Sequence, residues 1–161
     1  MERLFKRCQY AEFDLIIGVG YRSMRLREEV AARAASSGRQ LATFISPAAH
    51  VSSSATIGAG CVLFAGCVVE PFAKLGSNNL MWSGGIVCHD TVIGDHNYLS
   101  PGVTISGTCR IGSRCFLGTR VTVIDAVHVG DDCQIAAGAV LYEDAAPCGG
   151  YAGLPAVRRK S

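Results

Sequence analysis

The sequence predicts a mainly β fold: a parallel β-solenoid of about five coils, preceded by a small strand–helix–strand unit. Three observations predict it. From Val51 to Ala146 the chain repeats every six residues, sixteen times without a slip. The first hexad position is always aliphatic or Met, from Val51, Ile57 and Leu63 through Met81 to Ile135 and Leu141. The fifth position never exceeds Val or Asn in size, as in Ala55, Cys61, Asn79, Gly85, Thr91 and Cys133. A period of six fits neither a helix nor a simple alternating strand. It fits a stack of short strands and turns, with the aliphatic residue inward and the small residue at the crowded corner.

The elements follow in order. Residues 1–12 are mixed and polar. Asp14 to Gly20 reads as a buried strand ending in a glycine turn. Gly18-x-Gly20 lacks the third glycine of a dinucleotide loop, so a tight strand-to-helix turn is the plainer reading. Tyr21–Ser37, rich in Arg, Glu and Ala, reads as a helix with Met24, Val30 and Ala34 near one face, capped by Gly38. Leu41–Ile45 reads as a second strand, and Ser46-Pro47 as a hinge. This gives three segments: a partial α/β unit over 1–46, the solenoid over 47–146 and an irregular tail over 147–161. A unit as small as the first cannot bury both its faces alone, so it must lean on the solenoid or on another subunit.

Composition bounds the function. Hydrophobic residues make up 49% of the chain and charged ones 17%, enough for a core and unlike a disordered chain. A net charge of +2 gives no footprint for nucleic acid. No apolar run is long enough for a membrane span, and no signal core follows the start, so a cytoplasmic protein is expected. Of eight cysteines, five (Cys61, Cys67, Cys109, Cys115, Cys133) fall at the fifth hexad position, where a thiol acts as a small apolar side chain. No C-x-x-C spacing occurs, and free thiols are expected.

Three hexads per coil would stack residues 18 apart, about 4.8 Å from one another. His89 then has Gly107 above it and Pro71 below. Thr119 has Ala137 above and Pro101 below. Among His50, His89, His96 and His128, His89 stands out as the third residue of its hexad, where a side chain points outward, with Asp90 directly after it. An imidazole can take a proton from an attacking amine or hydroxyl, and a carboxylate beside it would hold the ring. A surface histidine beside a surface aspartate is the plainer alternative.

The repeat, with Ile57-Gly58, Leu75-Gly76, Ile93-Gly94, Ile111-Gly112, Leu117-Gly118 and Val129-Gly130, resembles that of the hexapeptide-repeat acyltransferases. His89-Asp90-Thr91-Val92-Ile93-Gly94-Asp95 resembles the motif of the sialic acid O-acetyltransferase and nucleotide-amino-sugar N-acetyltransferase subset. Leu15–Gly20, Arg25, Phe44–Ala49 and the tail Gly153-Leu154-Pro155-Ala156 are similar to other parts of that subset. The resemblance implies a left-handed parallel β-helix, although crossovers are usually right-handed. It implies acetyl-CoA as co-substrate, a sugar or nucleotide-sugar acceptor, and a homotrimer with sites between subunits.

It further implies His89 as general base and Asp90 as its support, with no metal. A backbone N–H near Gly107 would steady the oxyanion. For acetyl-CoA it implies Tyr98, where relatives often carry a second His, together with Gly107, Thr119 and Ala137. Arg158, Arg159 and Lys160 would pair with the CoA phosphates or form a solvated tail. The family's Gly-rich first strand-turn, which cradles a nucleotide, precedes the point where this sequence starts, so the usual nucleotide site is not expected. Two other classes stand beside this one. One is a non-catalytic β-helix scaffold subunit. The other is a zinc hydratase of the γ-carbonic-anhydrase type, whose three converging His this spacing does not supply.

Overall fold

The computed structural model describes residues 14–18 and 23–159. Two-residue strands alternate with two-residue turns, and every third strand pairs in parallel, so three sheets form the faces of a triangular prism. Face one holds β1 (Phe44–Ile45), β4 (Val62–Leu63), β7 (Leu80–Met81), β10 (Tyr98–Leu99), β13 (Phe116–Leu117), β16 (Gln134–Ile135), β18 (Gly150–Ala152) and the antiparallel β19 (Val157–Arg158). Face two holds β2 (His50–Val51), β5 (Val68–Val69), β8 (Ile86–Val87), β11 (Thr104–Ile105), β14 (Thr122–Val123) and β17 (Val140–Leu141). Face three holds β3 (Thr56–Ile57), β6 (Lys74–Leu75), β9 (Val92–Ile93), β12 (Arg110–Ile111) and β15 (His128–Val129). The register is the expected 18: Tyr98 lies opposite Phe116 and Ile105 opposite Val123.

The hexad explains the coil. First-position residues from Leu63 to Leu141 line the core, and the fifth-position cysteines are fully buried among them. Their thiols donate to corner carbonyls, as Cys61 does to Gly76 at 3.0 Å and Cys109 to Ile124 at 3.1 Å. The buried amide of Asn79 does the same for Gly76 and Gly94, and its Oδ1 accepts the N–H of Asn97 at 2.9 Å. The turn forces the fourth position into the left-handed region, whether it is Gly84 (φ 71°) or Asp90 (φ 58°). The second-position glycines answer to crowding instead. A Cβ on Gly58 would stand 2.5 Å from the carbonyl carbon of Gly76 in the next coil.

The prism has about six coils, one more than the repeat predicts, because pairing extends at both ends. Ser46-Pro47 is not a hinge: Phe44–Ile45 already pairs with Val62–Leu63. Ile45 and Ala49 in fact fit the first and fifth hexad positions one repeat earlier. At the other end Ala145 bridges Val129, and Tyr151 pairs with Ile135, both 16 apart. One corner is two residues short, so the rhythm stops in sequence while the coil goes on.

The helix α1 (Met24–Ser36) begins where the Ser23 hydroxyl accepts the Leu26 N–H at 3.2 Å and ends at Gly38, φ 72°. Tyr21 of the predicted helix lies outside the described residues, as do residues 1–12, Gly20 and Lys160. Met24 packs on Val62, Leu80 and Tyr98, so α1 covers face one. Arg27 is fully buried and donates to the carbonyl of Asn78 at 2.9 Å and to its Oδ1 at 3.1 Å. Of the predicted flanking strands, Leu15 and Leu41 form a single parallel bridge.

Candidate active site

The corner between faces two and three stacks Pro71, His89, Gly107 and Asp125 one coil apart. The Nδ1 of His89 lies 3.0 Å from Oδ2 of Asp90, and both side chains are more than half exposed, at 55%. A carboxylate only accepts, so Nδ1 carries the proton and Nε2 presents its lone pair. Aspartate is among the residues that tolerate the left-handed turn this pairing uses. The backbone N–H of His89 donates to Oε2 of Glu70 at 2.9 Å, which fixes the main chain under the ring. Burial, and after it that same carboxylate, pushes the neighbouring Cys88 thiol up to about 11, so it stays a thiol at neutral pH.

Gly107 lies directly over the imidazole: a Cβ there would stand 2.7 Å from both Cε1 and Nε2 of His89. Only glycine leaves the ring its space. The oxyanion contact expected near Gly107 does not come from a free N–H of Gly107 itself. Its N–H already donates to Oδ1 of Asp125 at 3.0 Å, and its carbonyl accepts from Thr108 and Ala126. Gly107 contributes room and not a free donor.

Thr119 and Ala137 stack at the corner between faces one and two, as the 18-residue rule predicts. Gly138 donates to the Thr119 carbonyl at 2.8 Å. Both residues are exposed, and neither of their own N–H groups donates within the described chain.

Tyr98 stands elsewhere. It is 8% exposed on face one, beneath α1, with ring centroids 5.5 Å from Phe116 and 6.4 Å from Trp82. Face one lies opposite the His89 corner of a triangular prism, so a single chain does not bring Tyr98 and His89 together. Arg158 is exposed on β19, at the far end of face one.

His96 occupies the corner between faces three and one. Its Nδ1 lies 2.9 Å from Nδ2 of Asn78. Because Arg27 donates to the Asn78 oxygen, the amide must offer its NH2 to His96, which therefore accepts at Nδ1. Burial holds this imidazole below its ordinary pKa. A cavity of about 590 Å³ between this corner and α1 is lined by His96, Asn78, Ser77, Ala31 and Ala35.

Sequence reasoning missed Glu70, Asp125 and the Arg27–Asn78 pair. Asp125 was open to the 18-residue rule, being two coils above His89. Glu70 was open to it as well, standing one coil below Cys88 and next to Pro71, whereas Arg27 had no such signal. Among the described residues no three His, Cys, Asp or Glu side chains converge on one point, and no helix is long and apolar enough to cross a membrane.

Residues 109–143 match the family model described as the hexapeptide repeat of succinyl-transferase. Among curated proteins none matches the sequence. Solved structures do. The acetyltransferase domain of PglB from Neisseria gonorrhoeae FA1090, in complex with acetyl coenzyme A, is 32% identical with a TM-score of 0.92, over 98% of this chain and 76% of that one. PerB from Caulobacter crescentus, in complex with CoA and GDP-perosamine, is 29% identical with a TM-score of 0.90, over 94% and 73%. WeeI from Acinetobacter baumannii AYE, at 19% identity and a TM-score of 0.88 over 98% and 76%, shares the fold. The repeat, the prism and the likeness to the PglB domain agree, and the chain belongs to the hexapeptide-repeat, left-handed β-helix acetyltransferase family.

Proposed function

We propose that this protein transfers the acetyl group of acetyl-CoA to an amine, or alternatively a hydroxyl, of a sugar or nucleotide sugar, with His89 as general base. The observation that carries the reading is the His89–Asp90 pair beneath Gly107: an oriented imidazole whose free Nε2 faces a space no side chain fills. The similar PglB domain binds acetyl-CoA, and PerB binds CoA and GDP-perosamine, which supports both co-substrate and acceptor class.

The acceptor nitrogen attacks the thioester carbonyl carbon and gives its proton to Nε2 of His89. The C–S bond then breaks, and the CoA sulfur takes the proton back from the imidazolium. Asp90 keeps its proton acceptor role toward Nδ1 throughout, steadying the charged ring. The backbone amides of Thr119 and Ala137 hold the pantetheine, and Arg158 pairs with a CoA phosphate.

These groups lie on two corners at opposite edges of face two, so one chain cannot offer both to the same thioester. A homotrimer resolves this. Beyond His50, the outward strand residues of face two are Val68, Ile86, Thr104, Thr122 and Val140, none charged, whereas face three carries Lys74 and Arg110. Turned toward a threefold axis, face two sets the His89 edge of one chain against the Thr119 edge of the next. A threefold arrangement also offers Tyr98 a route to the thioester of a neighbouring copy.

The test is CoA release from acetyl-CoA with D-glucosamine, D-galactosamine and GDP-perosamine as acceptors, for wild type and His89→Ala, alongside the mass of the assembly in solution. Acceptor-dependent release that collapses in the variant supports the reading. Absence of acetyl-CoA binding would favour the scaffold alternative instead.

A further inference from the structure

The fourth hexad position is the left-handed turn, and apart from Phe72 its positive-φ occupants are glycine, polar or small: Gly66, Asn78, Gly84, Asp90, Gly102, Thr108, Ala126, Asp132. Phe72 breaks this rule. It holds φ 63° with a bulky side chain, a genuine outlier for such a residue. Its ring is not spent on the core, because the residue is 61% exposed. Ser54 accepts its backbone N–H at 3.3 Å, which anchors the main chain and leaves the ring outside.

The position is specific. Phe72 is one coil directly below Asp90, on the corner that carries the candidate base. Pro71 stands below His89, and its carbonyl accepts the Asp90 N–H at 3.2 Å. The two directions along the corner therefore differ. Above His89 is the bare Gly107, where the acyl donor reads. Below it is an apolar step of Pro71 and an exposed aromatic ring. The repeat imposes this φ at nearly every coil, so what singles Phe72 out is a bulky apolar ring held in water beside the candidate base.

We infer that Phe72 is the platform on which the acceptor sugar lies, its C–H face against the ring, so that the amine or hydroxyl reaches Nε2 of His89 from below. The inference rests on the acetyltransferase reading and adds the side from which the acceptor enters. An aromatic ring recognises a pyranose through its apolar face, so the platform favours acceptors with few polar groups on that face. The ring orients the sugar and takes no part in proton transfer.

Phe72→Asn removes the ring and keeps a residue that accepts the left-handed turn; Phe72→Tyr keeps the ring. Steady-state kinetics with acetyl-CoA and whichever of D-glucosamine, D-galactosamine and GDP-perosamine the wild type acetylates gives the test, together with melting temperature and assembly mass. Phe72→Asn is expected to raise the acceptor KM about ten-fold, the size of one lost aromatic contact. The acetyl-CoA KM stays within two-fold, the melting temperature does not fall, and Phe72→Tyr behaves as wild type. An unchanged acceptor KM in Phe72→Asn overturns the platform while leaving the enzyme intact. So does a lower melting temperature with dissociation of the assembly, which would make the ring a packing group. Absence of wild-type turnover with all three sugars sinks the acetyltransferase reading, and the platform with it.

Discussion

Two corners of the same prism carry a histidine within eight residues of each other, and the surroundings give them opposite properties. His89 is exposed, paired with Asp90 and free at Nε2. His96 is partly buried, accepts a hydrogen bond from Asn78 and has its pKa lowered by burial. The hexad builds the same turn at both. What differs is the cover: face one is closed by the helix, while the His89 corner borders two faces that α1 does not touch. Chemistry at a repeat corner is thus decided by what packs over it, not by the repeat.

The comparison breaks most sharply at the two histidines themselves. His89→Ala is expected to lower kcat by about 10²–10⁴, the usual worth of a positioned general base. His96→Ala is expected to leave kcat within a few-fold and to lower stability instead. CoA release and thermal unfolding, measured on both variants, separate the two roles. Equal losses of activity would mean that the covered corner also takes part in catalysis.

A smaller effect comes from the space above the imidazole. Gly107→Ala puts a Cβ within 2.7 Å of two ring atoms of His89, so the ring must turn away from Asp90. A misplaced base costs about 10²-fold in kcat. The backbone at Gly107 keeps its bonds to Asp125, Thr108 and Ala126, so unfolding should change little. A variant that loses stability and keeps kcat would show that this glycine serves the coil and not the site.

The covered corner has its own lever. Asn78→Ala removes the acceptor Oδ1 of Arg27 and the donor of His96 together, leaving buried polar groups without these partners. The expected cost is about 1–3 kcal/mol of stability, seen as an earlier denaturant midpoint. kcat, which the proposed function places at the other corner, should hold.

These contrasts also mark what the sequence could tell. The prism was legible because every coil repeats the same demands: aliphatic inward, small at the corner, 18 residues between neighbours. His89, Gly107, Thr119 and Ala137 were placed by that arithmetic. The first coil went unread because Ser46-Pro47 looks like a hinge between the strand ending at Ile45 and the repeat. The last went unread because a shortened corner moves Ala145 and Tyr151 two residues out of phase. The surroundings of Tyr98 were hidden for a different reason. Spacing places a residue on a face but says nothing of what lies over that face, and here Met24 of α1 does. Arg27 was unreadable, since its partner Asn78 is 51 residues away on an element of another kind.

The finest distinction between the corners is in pH. Burial is the largest influence on His96 and lowers its pKa; Glu28 and Asp95 pull it up, while Arg27 and Arg114 push it down. Its folded value lies below the unfolded one of about 6.5. As pH falls below about 6.5 the unfolded chain gains a proton that the folded chain refuses, so stability declines until the folded pKa is reached. Asp132 acts in a separate window. Hydrogen bonding to Arg114 lowers its pKa, so its contribution is present above about 4 and is lost as pH falls through its folded value. Unfolding midpoints between pH 7 and 5 are therefore expected to drop, and His96→Gln to flatten that drop while Asp132→Asn leaves it. A slope that survives His96→Gln would assign the titration to another group and remove the contrast between an imidazole kept in water and one whose pKa burial lowers.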